Sequence, residues 1–540
     1  MISHFIRLFV HTLMTLAVFL SMSAMPSSAG ERVAGLEVER GLLNSIDMMR
    51  IVVDGGAMAQ AVYPVTVDPE IGANDFRLSD MGPDGDANFD ADFPAVAYNT
   101  TNNEYLVVWE GDDNTPPLVD DEREIFGQRV NAATGAEVGA NDFRISDMPA
   151  TQIGFVPAVA YNSTNNEYLV VWRGEDTTSG EWEVFGQRLN AATGAEVGAN
   201  DFRMSDMGPD GNTNFAANFP GIAYNSTNNE YLVVWVGDDN TSPLVDNEFE
   251  VFGQRLNAAT GAEVGANDFR ISDMGPDGST TFGPSTTFFI SVPGVAHNSL
   301  NNEYLVVWWS DDTTNDEFEV FGQRLDAAMG AEVGANDFRI SDLGPDGNAN
   351  FDVFDATVGY NSVNNEYLTV WSGDDNTAPL VDNEHEIFGQ RINAATGAEV
   401  GTNDFRISDM GPDGNANFHA FFLAITYNSV NNEYLVGWSG NDNTAPLVDN
   451  EGEIFGQRVN AATGTEVGAN DFRISDMGPN GVTTYTANIP AAIYNSTNNE
   501  YLMVWEGDDD TTPLVDNEFE IFGQRLSGVE YVIYLPVLLK

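Results

Sequence analysis

Between residues 74 and 526 the chain alternates short apolar runs with polar turns rich in Gly and Asn, and four such runs return in a fixed order. In the first full unit they are "PAVAYN" (94–99), "NNEYLVVW" (102–109), "EIFGQRV" (124–130) and "NDFRISD" (141–147). Each is brief, rich in Val, Ile, Tyr, Phe and Trp, and bounded by turn residues, which predicts a β-strand. "YNSTNNEY" reads as a tight polar hairpin and "NAATGAEVGAND" as a turn with two glycines. "YLVVW" lacks polar alternation, so both of its faces should be buried, which favours sheets stacked face on face. The Trp closing the second run falls at Trp109, Trp172, Trp235, Trp308, Trp371, Trp438 and Trp505, a spacing of 63 to 73 residues. Such a period implies a solenoid, a propeller or a string of small domains.

One fragment decides among these. "NDFRLSD" (74–80) stands alone ahead of the first unit, while the last unit leaves the pattern at Ser527 without an "NDFR" run. A linear array has no use for this exchange, but a closed ring does, because the first strand completes the last sheet and removes its open edge. The expected fold is therefore all-β: a seven-bladed β-propeller of four-stranded antiparallel blades, closed by the N-terminal strand near Asp75–Ser79 lying outermost in the last blade. With strands a to d in an up-and-down meander, the a–b and c–d turns share one rim. The long acidic b–c and d–a loops, such as residues 110–124 and 80–93, share the other.

Charge changes the functional picture. Across 540 residues there are 83 acidic and 21 basic side chains, a formal net charge of −62. This excludes nucleic acid and anionic membranes as partners, and zero Cys excludes disulfides and thiolate chemistry. Residues 1–29 read as a signal peptide, with Arg7, an apolar core, and Ser27 and Ala29 before the cut. An N-terminal segment (30–67), the propeller (68–526) and an apolar C-terminal tail (527–540) follow. No other segment is long enough to span a bilayer. The expectation is a monomer, secreted or held at the cell surface.

Two loop sets offer hard oxygen ligands suited to Ca²⁺: Asp84, Asp86, Asn88 and Asp90 in "PDGDANFD", and Asp112, Asp113, Asp120 and Glu122 in the next loop, matched by Asp238, Asp239, Asp246 and Glu248. Calcium is the only candidate cofactor. Asx-turn chemistry on a solvated acidic surface is the competing reading. Of 20 Arg, 14 belong to "FGQR" or "NDFR". The strand register is expected to set Glu104 opposite Arg129 as a repeated ion pair. Outside the signal the histidines are His297, expected as a strand-end aromatic, and His385 and His419, on neighbouring acidic loops and able to approach each other. No nucleophile elbow, His-Glu-x-x-His or phosphate-cradling loop occurs.

The "YLVVW" and "FGQR" runs resemble those of secreted bacterial β-propeller repeat proteins, over about residues 68 to 526. "AVYPVTVDP" (61–69) is similar to the segment preceding FG-GAP-type arrays, and "VIYLPVLLK" (532–540) to a YLP-type tail of secreted bacterial proteins. The resemblance implies a fold and an address more than an activity. The leading expectation is an exported, non-catalytic binding or adhesion scaffold, more an interaction module than an enzyme, with a surface glycan or protein as ligand. The alternative is a calcium-dependent hydrolase, phosphatase- or glycosidase-like, on the same fold. An enzyme should break the repeat symmetry with one unusual polar cluster.

Overall fold

The computed structural model describes residues 70–529 except 115–117, 119–121, 150–151, 177–178, 285–291, 312–316, together with the strand segments Leu36–Leu43, Ile46–Val53, Val65–Thr66 and Val532–Ile533. The signal peptide, most of the segment 30–67 and most of the C-terminal tail lie outside the described residues.

The described chain is all-β, and the four sequence runs form antiparallel meanders. In the first meander strand a is Asp90–Asn99, strand b Glu104–Asp112, strand c Arg123–Asn131 and strand d Glu137–Arg144, paired in that order. Four sheets are four-stranded. A five-stranded sheet carries the short pieces Gly283–Pro284 and Gly294–Asn298 on Glu303–Asp311. An eight-stranded sheet is two meanders joined at the single pair Trp182 and Ala216.

Strand b is buried on both faces, as its unbroken apolar run requires. Val107 and Trp109 pack with Leu502, Val504 and Ile521 of the last meander. Leu106 and Val108 pack with Tyr168, Val170 and Trp172 of the second. Alternate residues of one strand thus feed two different cores, each lying between neighbouring meanders. The glycine of "FGQR" is needed for close approach: a Cβ on Gly127 would sit 2.8 Å from Ile145 Cδ1 and 3.1 Å from the Val107 carbonyl oxygen.

The remaining repeated residues are lattice pieces. Each outer strand bulges at an Asp in the left-handed region, such as Asp142 at φ 42°, a conformation Asp tolerates better than most residues. The bulge amide of Asp142 is taken up by Gln128 Oε1 at 3.1 Å, while Gln128 Nε2 donates to the Arg129 carbonyl at 2.8 Å. Fully buried Glu124 accepts from the Ser146 hydroxyl and from the Met148 amide (3.0 Å), and Ser146 Oγ accepts the Ile125 amide at 2.7 Å. These contacts account for the Gln of "FGQR", the Glu that opens that run and the Ser that closes "NDFRIS".

The expected Glu–Arg pair exists in a different register. Arg129 lies opposite Leu106, and Glu104 opposite Asn131. The pair is diagonal, with Arg129 Nη2 at 3.0 Å from Glu104 Oε2, and recurs as Arg188–Glu167, Arg255–Glu230 and Arg324–Glu303 at 2.6–2.7 Å. Such diagonal contacts are within reach of long side chains and contribute roughly 0.2–1 kcal/mol each.

The orphan strand adds to the last meander. Glu70–Arg77 pairs antiparallel with Phe519–Ser527, setting Arg77 opposite Phe522 and Phe76 opposite Gly523. The amide of Asp80 donates to Asp142, Asp147 to Asp201, Asp206 to Asp268, Asp273 to Asp337, Asp342 to Asp404 and Asp409 to Asp471. The series returns to its start with Asp476 donating to Asp75 at 3.0 Å.

Burial pushes the carboxyls of these outer-strand residues up, Asp75 to about 7, Asp268 to about 6 and Asp471 to about 8, and buried Glu124 to about 7 and Glu250 to about 8. Folded carboxyls that hold protons above the unfolded range contribute stability that is complete at low pH and is lost as pH rises through the folded values. The melting temperature should therefore peak in mildly acidic buffer and fall steadily between about pH 6 and pH 8. A melting profile that is flat or rising across that window would contradict the lattice as described.

Candidate active site

The position after the Trp of strand b escapes the repeat. It is Glu110, Arg173, Val236, Trp309, Ser372, Ser439 and Glu506 in successive meanders. Its side chain meets a bulge in strand a, where Phe93 (φ 52°), Val156 (φ 48°) and Ile489 (φ 50°) leave the ladder and free an amide. Glu506 Oε2 accepts the Phe93 amide at 3.2 Å, Glu110 Oε2 the Val156 amide at 2.9 Å, and Ser439 Oγ the Ile489 amide at 3.0 Å. Each contact runs from one meander to the next, so the fold hands these side chains across the junctions between sheets.

At the junction of the last and first meanders they form a charged cluster. Asp92 lies opposite Glu110 in the a–b pair. Arg123 opens strand c where other units carry Trp182, Phe249, Phe318, His385, Gly452 and Phe519. Its Nη1 donates to Asp92 Oδ2 at 2.6 Å and to Glu110 Oε1 at 2.8 Å. Burial pushes the Glu110 carboxyl up to about 7, against the pull of the Val156 amide and Arg123. Half-buried Glu506 is pushed up to about 8, first by desolvation, then by the charge of Asp92 and, more weakly, of Glu110, with the Phe93 amide and Arg123 opposing. Glu110 and Glu506 titrate as a coupled pair beside Asp92, with one cation against three acids. Near neutral pH such a group holds a proton it can give away beside a carboxylate fixed by a guanidinium.

Aromatic side chains border the charged residues. The Arg173 guanidinium lies 3.8 Å above the Trp182 ring, Phe155 packs 5.8 Å from Trp182, and Phe219 is 5.8 Å from the same guanidinium. Further round, Trp309, Phe318, Phe354, His385, Phe421 and His419 form a continuous chain of ring contacts at 4.6–6.0 Å.

Several of the calcium candidates take part in turns and ion pairs. Asp84 pairs with Arg77 at 2.8 Å, and Asp210, Asp277, Asp346 and Asp413 pair likewise with the "NDFR" arginines. This explains the recurring "PDG", because its Asp anchors the loop to the outer strand. Asp86 closes a turn with Asn88, and Asp90 accepts the Phe519 amide at 3.4 Å. Asp238 accepts the Asn247 amide at 3.1 Å, Asp239 the Thr241 amide at 2.9 Å, and Asp246 the Asn247 side chain at 3.0 Å. Glu248 accepts from Val245 and Gly278. Asp112 and Glu122 are buried, Asp113 lies beside them in the loop, and Asp120 lies outside the described residues. Among the described residues one acidic trio, Asp176, Glu181 and Asp210, has ligand atoms within 4.8 Å of one another. Arg203 pairs with two of the three.

His297 is a strand-end aromatic, as expected: its ring lies 5.2 Å from that of Tyr304. His385 and His419 do approach, at 4.6 and 5.1 Å from the shared Phe421 ring. Burial, reinforced by the neighbouring imidazole, holds His385 down to about 4. It is a neutral ring in an aromatic stack.

No family model and no curated protein matches the chain. Solved structures do. An ulvan lyase of polysaccharide lyase family PL25 is 9% identical, with 87% of this chain and 98% of that chain covered at a TM-score of 0.46. The polysaccharide lyase Uly1 is 11% identical, covering 84% and 92% at 0.47. An α-L-arabinanase from Penicillium chrysogenum is 11% identical, covering 86% and 99% at 0.41. These are enzymes, and the expectation of a non-catalytic binding or adhesion scaffold, more an interaction module than an enzyme, is corrected accordingly. The physical reason lies in the chain itself. Near-equal units suggest a scaffold, but Glu506, Asp92, Glu110 and Arg123 form an asymmetric constellation among them. The signal was present in the sequence as two columns that break the repeat, the position after the strand-b Trp and the first residue of strand c.

Arg123 is the only cation hydrogen-bonded to this group among the described residues. Arg123→Met should lower stability by about 1–3 kcal/mol at pH 8, with a smaller loss at pH 5, where the Glu110 and Glu506 carboxyls hold protons without help. Equal losses at the two pH values would show that the cluster is not electrostatically coupled.

Proposed function

We propose that the meanders are the blades of a closed seven-bladed propeller and that the chain is an exported glycan hydrolase, working where the last and first blades meet. The observation that carries this reading is the single cluster of Glu506, Asp92, Glu110 and Arg123 in an otherwise repeated lattice. Catalysis needs one asymmetric site holding both a proton donor and an anionic partner, and paired carboxyls with separated roles are the chemistry of glycoside cleavage. The cyclic series of Asp contacts supports closure.

In this reading Glu506 is the general acid, since a carboxyl raised to about 8 is protonated at neutral pH. Its Oε2 is occupied by the Phe93 amide, so Oε1 faces the leaving group. The glycosidic C–O bond breaks as this proton passes to the departing oxygen. A water adds to the anomeric carbon and gives its proton to Asp92, which Arg123 holds in place. Glu110, bridging Arg123 and the Val156 amide, positions the guanidinium and balances the charge. Trp182, Phe155 and Phe219 offer apolar ring faces on which sugar rings can lie.

The test is release of reducing ends from a panel of neutral and acidic polysaccharides, without the new ultraviolet absorbance that an eliminating enzyme produces. Glu506→Gln and Asp92→Asn should each lower kcat by roughly 10²-fold or more. Activity should be present below, and lost as pH rises through, about 8, the range in which Glu506 gives up its proton. No release from any panel member, or full activity in Glu506→Gln, would end this reading.

A further inference from the structure

We infer that the substrate carries an anionic group, a ring carboxylate or a sulfate ester, and that Arg173 receives it; the inference rests on the glycan-cleaving site proposed above. Arg173 stands out among the arginines. Apart from Arg173, every arginine between residues 70 and 529 has a carboxylate within 4.0 Å; they include Arg77, Arg123, Arg144, Arg391, Arg458, Arg473 and Arg525. Arg173 has no ion pair, and its Nε is buried with no hydrogen-bond acceptor. This occurs in a protein with 83 acidic residues, where carboxylate partners are abundant. Leaving a half-buried guanidinium unpaired is costly unless a counter-charge arrives.

Its place is also specific. Arg173 holds the same register position as Glu110 and Glu506, one meander on, opposite Phe155 and Val184. Glu110 binds the Val156 amide, the residue next to Phe155, so the free guanidinium adjoins the carboxyl cluster. Glu110 and Glu175 act on it through space without forming an ion pair with it. Burial lowers its affinity for the proton only to about 10, so it is fully charged at neutral pH. The contact with the Trp182 ring steadies the guanidinium, a fork able to make paired hydrogen bonds. That geometry suits carboxylate or sulfate oxygens better than a hydroxyl. A local cation–π contact offsets part of the desolvation, while the remainder is recovered when the anion docks.

The test measures binding in the Glu506→Gln background, where cleavage does not interfere. The probes are oligogalacturonate, oligoglucuronate and a sulfated galactan oligosaccharide, each beside its carboxyl-reduced or desulfated counterpart, titrated by calorimetry. At least one charged probe should bind roughly tenfold or more tighter than its neutral counterpart. Adding Arg173→Gln should collapse that ratio to near one. Arg173→Lys should restore part of it, because a point charge replaces the fork. Melting curves of both variants establish that they are folded. Equal binding of charged and neutral members of every pair, no binding of any charged probe, or a charge preference that survives Arg173→Gln overturns the inference. The two proposals fail separately. Charge-selective binding through Arg173 with no cleavage of any polymer by the unsubstituted protein supports the anion site and ends the hydrolase reading. Cleavage confined to neutral polymers does the reverse.

Discussion

The candidate site depends on one backbone pairing, the ladder between Glu70–Arg77 and Phe519–Ser527. Without it the last meander would end in a bare strand c and would lose part of its hold on the first. With it, Leu78 donates to the Ile521 carbonyl at 2.7 Å, Glu520 receives Ser79 and Met81, and the core of the first meander runs on into Leu502 and Val504. Glu506 is thereby delivered to the Phe93 amide across 413 residues of sequence. The charged cluster is a by-product of how the first and last meanders meet.

The lattice and the site divide the work within each strand. Tyr105 to Trp109 and their equivalents are committed to the two flanking cores, and the Glu, Gln, Ser and Arg of the repeated runs are committed to bulges and cross-strand pairs. These positions tolerate little variation, since each buried polar atom would otherwise lack a partner. The position after the Trp is free of these duties because it reaches into the junction between meanders. There a repeat can afford Glu in one unit, Arg in the next and Ser or Trp elsewhere. The net acidity has a similar logic. Many carboxyls are taken up by amides and arginines of the loops, and several of the buried ones hold protons well above the usual range.

The β-strands, the unit length, the burial of both faces of "YLVVW" and the role of the orphan strand were legible because each follows from local pattern or from counting. The Glu–Arg pair was legible in its partners but not in its register, because the offset between Glu104 and Arg129 is set by where the b–c loop begins its turn. The loops' abundant carboxylates suggest calcium ligands, and the recurring "PDG" aspartates among them also pair with Arg77 and its equivalents. Glu110 and Glu506 were hidden by the same abundance. What distinguishes them is the strand-a bulge that offers a free amide, and a bulge is not visible in a run such as "DFPAVAYN". Arg173 was in plain view, but only coordinates reveal that, among the arginines between residues 70 and 529, it lacks a paired carboxylate.

The apposition of the two chain ends can be measured directly, because the chain contains no native Cys. Thr101 and Ser496 are exposed on hairpins of the first and last meanders, whose neighbours Tyr98 and Thr497 are bonded at 2.5 Å. Spin labels on Cys introduced at these two positions should give a short, narrow distance distribution in the intact chain, and a broad, longer one when residues 70–79 are deleted. A long or broad distribution in the intact chain would mean that the first and last sheets do not meet. Glu506 and Asp92 would then belong to no common site.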